Sequence, residues 1–112
     1  MGRPNTKAPW PTIGRRQVPP PRHLKAESRK LWETIVRERS FDDAASMAIL
    51  TSAIEAFQRA AEARRVVDKE GVVVRDRFGV SKAHPAVAIE RDARTAFVSA
   101  MRSLGLCTEP GQ

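Results

Sequence analysis

The sequence has almost none of the residue patterns on which disulfide bonds, metal sites or membrane insertion depend. Its single cysteine, Cys107, cannot form an internal disulfide, and no cluster of cysteine and histidine has metal-ligand spacing. No apolar run approaches the roughly 20 residues that span a bilayer, and the N-terminus lacks the apolar core of a secretory signal. These absences predict a protein of a reducing, cytosolic compartment that uses no metal and no cofactor.

Recognisable catalytic motifs are also missing. Gly71 and Gly79 are far apart and neither begins a GK[ST] sequence, so the chain has no phosphate-binding loop and ATP hydrolysis is not expected. Asp42 and Asp43 can bind a metal in principle, but an acidic pair at a helix start is more typical of a cap. The two histidines have structural explanations, one in a linker and one beside a helix start. We therefore expect a protein that acts by binding and is not an enzyme.

The net charge is confined to the first thirty residues. This segment contains eight basic side chains and one acid, Glu27, and so carries the whole formal charge of +7. Residues 31–112 contain twelve basic and twelve acidic side chains. A cationic arm on an electrically balanced body indicates that the arm binds a polyanion, with nucleic acid as the first candidate. We expect DNA affinity to reside in Arg3, Lys7, Arg15, Arg16, Arg22, Lys25, Arg29 and Lys30.

Three segments are predicted along the chain. Residues 1–24 are typical of a disordered basic arm, because they hold six of the eight prolines and few apolar groups. Trp10 is the one large aromatic of this arm; it can stack on a base, dock into a groove, or be partly exposed without a role. Residues 25–107 are predicted to form one helical oligomerisation core, and residues 108–112 a frayed tail.

The body predicts a mainly α fold with three principal helices, arranged as a helical hairpin or bundle around a long central helix. The first helix begins near Glu27 and carries one apolar stripe. The central helix begins after the acidic cap at Asp43 and runs to about Lys69. The stripe of the first helix, predicted to face the core, consists of Leu31, Trp32, Ile35 and Val36.

The last helix is marked at both ends. His84 precedes Pro85, and proline is favoured at the first helical position while it drives the preceding residue out of helical geometry. Gly105 is placed to stop the helix after Leu104 in a left-handed conformation, and Leu106 can then fold back onto it.

The central helix carries an apolar seam at coiled-coil spacing, which requires a partner helix. That partner is either a neighbouring subunit or another helix of the same chain. The opposite face is rich in alanine and allows close approach of a second helix or subunit. The seam consists of Met47, Leu50, Ile54, Phe57 and Ala61, and the alanines are Ala45, Ala48, Ala56, Ala60 and Ala63.

A short β-favouring run follows Gly71 and predicts a small hairpin or an ordered loop before the last helix. Two isolated strands are weakly stable unless they pack on a neighbour, so we expect an intersubunit contact here. Together with the seam, this gives the predicted oligomer interface: Met47, Leu50, Ile54, Phe57, Val72, Val73 and Val74.

The order of these features resembles the small terminase subunits of tailed bacteriophages. A leader that begins Gly-Arg-Pro ends in Pro19-Pro20-Pro21-Arg22-His23-Leu24, Trp32 lies on a first helix, and Asp42-Asp43 begins a long Ala/Arg-rich helix. The likeness continues through the valine run, Gly79 and His84-Pro85 to Glu90-Arg91-Asp92-Ala93-Arg94 and the closing Leu104-Gly105-Leu106.

The resemblance implies a non-catalytic DNA-packaging factor that forms a homo-oligomeric ring in the host cytoplasm during phage assembly. It implies binding to double-stranded viral DNA and to the large terminase subunit, which carries the ATPase and the nuclease. Many small terminases have a clear helix-turn-helix, and none is evident here. DNA contact is therefore expected from the arm, with a smaller contribution from Arg59, Arg64 and Arg65.

Two other classes of protein fit the same residues. A dimeric helical DNA-binding regulator would have a small fixed oligomer and palindromic sites. A phage structural assembly protein would use the basic arm to bind a protein partner.

Overall fold

The computed structural model describes residues 19–39, 41 and 43–106. The predictions for residues 1–18, for Asp42, and for Cys107 and the tail after it lie outside these residues. Three helices and one two-stranded antiparallel sheet confirm the mainly α fold class and resolve the valine segment as a hairpin. The elements are α1 Ala26–Glu38, α2 Ala44–Glu70, β1 Val73–Arg75, β2 Ser81–Ala83 and α3 Pro85–Ser103.

The ends of α2 follow from side-chain and backbone hydrogen bonds near Asp43 and Gly71. One carboxylate oxygen of Asp43 accepts from the backbone N–H of Ser46 at 2.9 Å, and the other accepts from the Ser46 hydroxyl at the same distance. This satisfies a donor that the first helical turn leaves without a partner. At the other end, the N–H of Gly71 donates to the carbonyl of Val67 at 2.7 Å, and the helix stops.

The ends of α3 lie where the sequence predicts them. His84 is the N-cap and Pro85 the first helical residue. Gly105 has φ of 74°, the left-handed conformation that costs a glycine nothing. The N–H of Gly105 donates to the carbonyl of Arg102, and the N–H of Leu106 donates to Met101, which is the hydrogen-bond pattern of a Schellman motif. Leu106 packs against the core, so its predicted return onto the helix is confirmed.

Helices α2 and α3 form an antiparallel hairpin with small side chains between them. At one end Leu50 and Ile54 lie in a cluster with Met101, and at the other end Val67 lies in a cluster with Ala86. Several of the alanines predicted to allow close approach are buried along α2. These are Ala56, Ala60 and Ala63, whereas Ala45 and Ala48 are exposed.

The seam of α2 finds its partner helix within the chain. Leu50 and Ile54 are completely buried, and the ring of Phe57 lies 5.6 Å from that of Phe97 on α3 at 49°. Met47 packs against the same cluster. Of the two partners that the seam allows, the structure supplies α3 of the same chain.

Helix α1 covers the open end of this hairpin through its predicted stripe. Trp32 is 2% exposed, and the other three stripe residues pack around it. Leu24, which the sequence analysis assigns to the disordered arm, is only 4% exposed and belongs to the core. The difference arises because the chain turns before α1, with the N–H of Leu24 donating to the carbonyl of Pro21 at 3.3 Å, and this turn directs Leu24 inward.

Within the described residues, no helix combines the length and the apolar character that crossing a membrane requires.

Candidate nucleic-acid and subunit interfaces

A row of polar side chains on α2 holds the segment that joins the basic arm to α1. The row consists of positions 55, 58, 62 and 65, whose spacing of three, four and three places them on one face of the helix. His23 Nε2 donates to Glu55 at 2.8 Å, and the backbone N–H of Lys25 donates to the side-chain carbonyl of Gln58 at 2.7 Å. Two ion pairs extend the row, Lys25 with Glu62 at 2.7 Å and Glu27 with Arg65 at 3.3 Å.

These contacts fix the place where the arm joins the body. Lys25 is the N-cap residue of α1 and makes no side-chain cap, and its own backbone N–H donates to Gln58 of α2. Three features hold the junction against the middle of α2. They are the turn from Pro21 to Leu24, the buried Leu24 side chain and the row on α2. The segment from Pro21 to Glu27 therefore lies at a defined site on the body.

The structure describes four of the eight residues predicted to bind DNA. Arg22 and Lys30 are exposed and Arg29 is half-buried, while Lys25 pairs with Glu62 through side chains that are both well exposed. An exposed ion pair contributes only about 0–1 kcal/mol, so a phosphate can replace Glu62 as the partner of Lys25 at little cost. The other four predicted residues, Arg3, Lys7, Arg15 and Arg16, lie outside the described residues.

The three arginines proposed on α2 have different surroundings. Arg64 pairs with Asp68 at 3.1 Å and approaches Glu90 of α3 at 3.8 Å, and Arg65 pairs with Glu27. Arg59 is exposed and has no ion pair in the part of the chain that the structure describes. Arg59 is thus the member of this group best placed to bind a phosphate.

The β1–β2 hairpin ends in a turn that its own side chains make rigid. Strand pairing joins Val73 to Ala83 and Arg75 to Ser81. At the turn, Asp76 Oδ1 accepts from the backbone N–H groups of Phe78 and Val80 at 2.8 and 2.9 Å. Gly79 has φ of 80°, the left-handed residue that a three-residue hairpin loop with a bulge requires.

His84 links the base of the hairpin to both long helices through hydrogen bonds. The N–H of Ala86 donates to His84 Nδ1 at 3.0 Å, so the other ring nitrogen carries the proton and donates to Glu70, the last residue of α2, at 2.8 Å. The backbone N–H of His84 also donates to the carbonyl of Val72 at 2.8 Å. This residue therefore connects the end of α2, the start of α3 and the residue just before β1.

Exposed large apolar side chains are concentrated on this hairpin. Phe78 is 76% exposed, and Val72, Val73 and Val80 are each more than half exposed, whereas Val74 is half-buried. The other exposed large apolar side chains of the described residues, Val66, Ile89 and Val98, are less exposed and lie on the helices. An open depression of about 410 Å³ lies beside the strands, lined by Val72, Val73, Ser81, Lys82, Ala83 and Val87.

Two features escaped the sequence analysis. One is Phe78: a phenylalanine between Arg77 and Gly79 in a turn has little apolar surface within reach and is expected to be exposed. The row on α2 carries a signal in its three-four-three spacing of polar residues. Its partners are His23 and Lys25 before α1 and Glu27 in the first turn of α1. All are at least 32 residues away in sequence and meet the row only in the tertiary structure.

The helical hairpin, its short capping helix and the small β-hairpin define a small, mainly helical protein. Comparison with protein families identifies the family, because residues 25–109 match the model of the phage terminase small subunit. The chain belongs to that family, whose members are generally non-catalytic and act in phage DNA packaging in association with DNA and the large subunit. No curated protein and no solved structure matches the chain.

Proposed function

We propose that this chain forms a homo-oligomeric ring, binds double-stranded viral DNA through its basic arm, and recruits or regulates the large ATPase and nuclease subunit in the host cytoplasm during phage assembly. Membership of the small terminase family supports the packaging role. The observation that carries the DNA-binding part is the junction on α2: it attaches residues 1–24, which hold five basic side chains and no acid, to one defined site of the body.

A ring makes a weak arm effective. Each arm binds DNA phosphates and releases the counterions condensed on them, so its affinity for DNA falls steeply as the salt concentration rises. Once one arm is bound, neighbouring arms meet the same duplex at high effective concentration. Because each arm is attached at the same site of its subunit, the ring arranges the arms symmetrically. They can then bind one DNA molecule together.

The hairpin provides the proposed subunit contact. Val72 and Val73 are exposed and border the apolar depression, and a neighbouring subunit that covers them removes apolar surface from water. Val74 is half-buried and pairs with Lys82 of the second strand. Of the predicted seam residues, Leu50 and Ile54 are fully buried in the core, so within this proposal they support the interface through the fold and not through contact. Met47 and Phe57 are half-buried beside them.

DNA affinity measured as a function of salt tests the role of the arm. The full chain is compared with a chain that lacks residues 1–18, which keeps the junction, and with a full-length variant whose four arm cations before Pro19 are glutamine. Both changes are expected to weaken binding strongly and to lower the slope of log affinity against log salt by roughly 3–4 for each engaged arm, about 0.9 for each lost phosphate contact. Unchanged binding at moderate salt in both proteins would refute the proposal.

Arg91→Gln serves as the matched control for a surface charge. Arg91 is exposed on α3, pairs with the neighbouring Asp92 at 3.1 Å, and takes no part in the hydrogen bonds and ion pairs described for the arm junction. Its neutralisation is expected to leave the salt slope unchanged. An equal effect of Arg91→Gln would show that general charge, and not the arm, governs binding.

A further inference from the structure

The tip of the hairpin consists of Arg77, Phe78 and Gly79. Neither the arm nor the proposed subunit contact involves these residues. Phe78 is the most exposed large apolar side chain of the described residues. The backbone that carries it is fixed, because Asp76 accepts from the Phe78 N–H and the Gly79 carbonyl accepts from the Arg75 guanidinium at 3.3 Å. Binding through Phe78 therefore orders its side chain without the further cost of ordering the loop.

The charge around the tip favours an anionic partner. Residues 72–83 carry three basic side chains and one acid, although the body as a whole, residues 31–112, carries twelve of each. The hairpin is therefore a basic projection on a body that is otherwise slightly acidic. The one acid, Asp76, is directed into the turn, where it accepts two backbone hydrogen bonds.

The tip combines a cation with an apolar wedge. The guanidinium carbon of Arg77 lies 5.1 Å from the centre of the Phe78 ring, a distance suited to cation–π attraction. A protein partner that buries Phe78 must also supply an acid for Arg77, which lies beside it. Double-stranded DNA supplies both partners at once, with base steps that accept apolar wedges and phosphates on either side.

The size of the hairpin fits a DNA groove. Each strand has three residues and so measures about 10 Å, and the grooves of B-DNA are about 7.5–8.5 Å deep. We propose that the tip is a second DNA contact, in which Phe78 wedges between base pairs of the duplex and Arg77 binds an adjacent phosphate. The proposal rests on the DNA binding proposed above and assigns it a second element, distinct from the arm and from the valines at the hairpin base.

The test measures DNA distortion separately from affinity. Mixed-sequence duplexes carry 2-aminopurine beside several TA steps, which are the easiest to unstack. We expect the full chain to raise the fluorescence on binding, because a wedge unstacks the probe. Phe78→Ala is expected to abolish this rise and to weaken binding at least about fivefold, the lower end for loss of one base–aromatic stack. Phe78→Leu keeps an apolar wedge and is expected to restore most of the rise.

Two further variants separate the tip from the rest of the surface. Arg77→Gln is expected to lower the salt slope by about one for each engaged tip. Val98→Ala changes an exposed apolar side chain on α3, away from the hairpin, and is expected to behave as the full chain does. Native mass is measured for every variant, and circular dichroism confirms that each one folds.

Each result has a definite meaning. Phe78→Ala that binds and unstacks DNA like the full chain overturns the proposal. Phe78→Ala that changes the native mass also overturns it, because the tip is then a subunit contact. A full chain that binds DNA without raising the fluorescence refutes the wedge alone. A full chain that does not bind DNA refutes the proposed function itself.

Discussion

At the scale of single residues, His84 shows how one side chain can serve three elements. A histidine is not among the preferred N-cap residues, yet its Nδ1 accepts the Ala86 N–H while Nε2 binds Glu70. The ring is only 12% exposed, so water does not readily replace these partners. The proline at the next position completes the helix start.

We expect His84→Ala to lower the free energy of unfolding by about 1–2 kcal/mol, because the cap and the link to Glu70 are lost together. His84→Asn keeps a capping oxygen and is expected to recover about half of the loss. Urea denaturation measures both values. The control is His23→Ala, whose hydrogen bond with Glu55 joins two well-exposed side chains and is expected to contribute less than about 1 kcal/mol. Equal losses at the two histidines would contradict the capping role.

A second residue-scale prediction concerns Gln58, which accepts from the backbone N–H of Lys25 at 2.7 Å. Gln58→Ala leaves this donor to water, and we expect α1 to open more often, with faster amide exchange in Ala26–Glu38 and little change in α3. Glu62→Gln removes only an exposed ion pair and is the matched control. Exchange of α1 that is insensitive to Gln58→Ala would show that Trp32 and its neighbours suffice to hold the helix.

At the scale of elements, the two apolar surfaces of the chain have different uses. The seam of α2 is covered by α1 and α3, whereas the hairpin valines remain exposed. Burial within the chain stabilises the subunit, and burial between chains stabilises the assembly. Substitutions in the two surfaces should therefore change different measured quantities.

We expect Leu50→Ala to lower the free energy of unfolding by about 2–5 kcal/mol, because it leaves a cavity at a completely buried site. Val73→Ser removes an exposed apolar group and is expected to leave the stability of the subunit within about 0.5 kcal/mol while it reduces the oligomeric mass. Denaturation at low protein concentration and native mass spectrometry measure the two effects. If Val73→Ser still forms an assembly of full mass, the hairpin base is not part of the subunit interface.

At the scale of the whole molecule, native mass spectrometry across salt concentrations tests the ring. We expect one discrete assembly of many identical subunits that persists at high salt, because an apolar contact is not weakened by screening. DNA binding by the same sample should fall steeply over that range. A monomer or a simple dimer would contradict the ring and favour a dimeric regulator or an assembly protein.

The sequence by itself determined the elements of this protein. The helices are indicated by local signals. The 3.6-residue periodicity marks the apolar face of each helix, and the ends are marked by residues that act on nearby backbone groups, namely Asp43, His84-Pro85 and Gly105. These signals predicted the bounds of the helices closely. The sequence also showed the segregation of charge into the first thirty residues, and its resemblance to the small terminase family was confirmed by the comparison.

Only the tertiary structure decided how the surfaces are used. His23 and Glu55 are 32 residues apart in the chain, and their contact depends on how α1 packs across α2. The same packing buries Leu24, and the packing of α3 on α2 covers the seam. A periodic pattern shows that one face of a helix is apolar, but it does not show which helix covers that face. That choice depends on long-range packing, in which the whole chain competes for the same apolar surface.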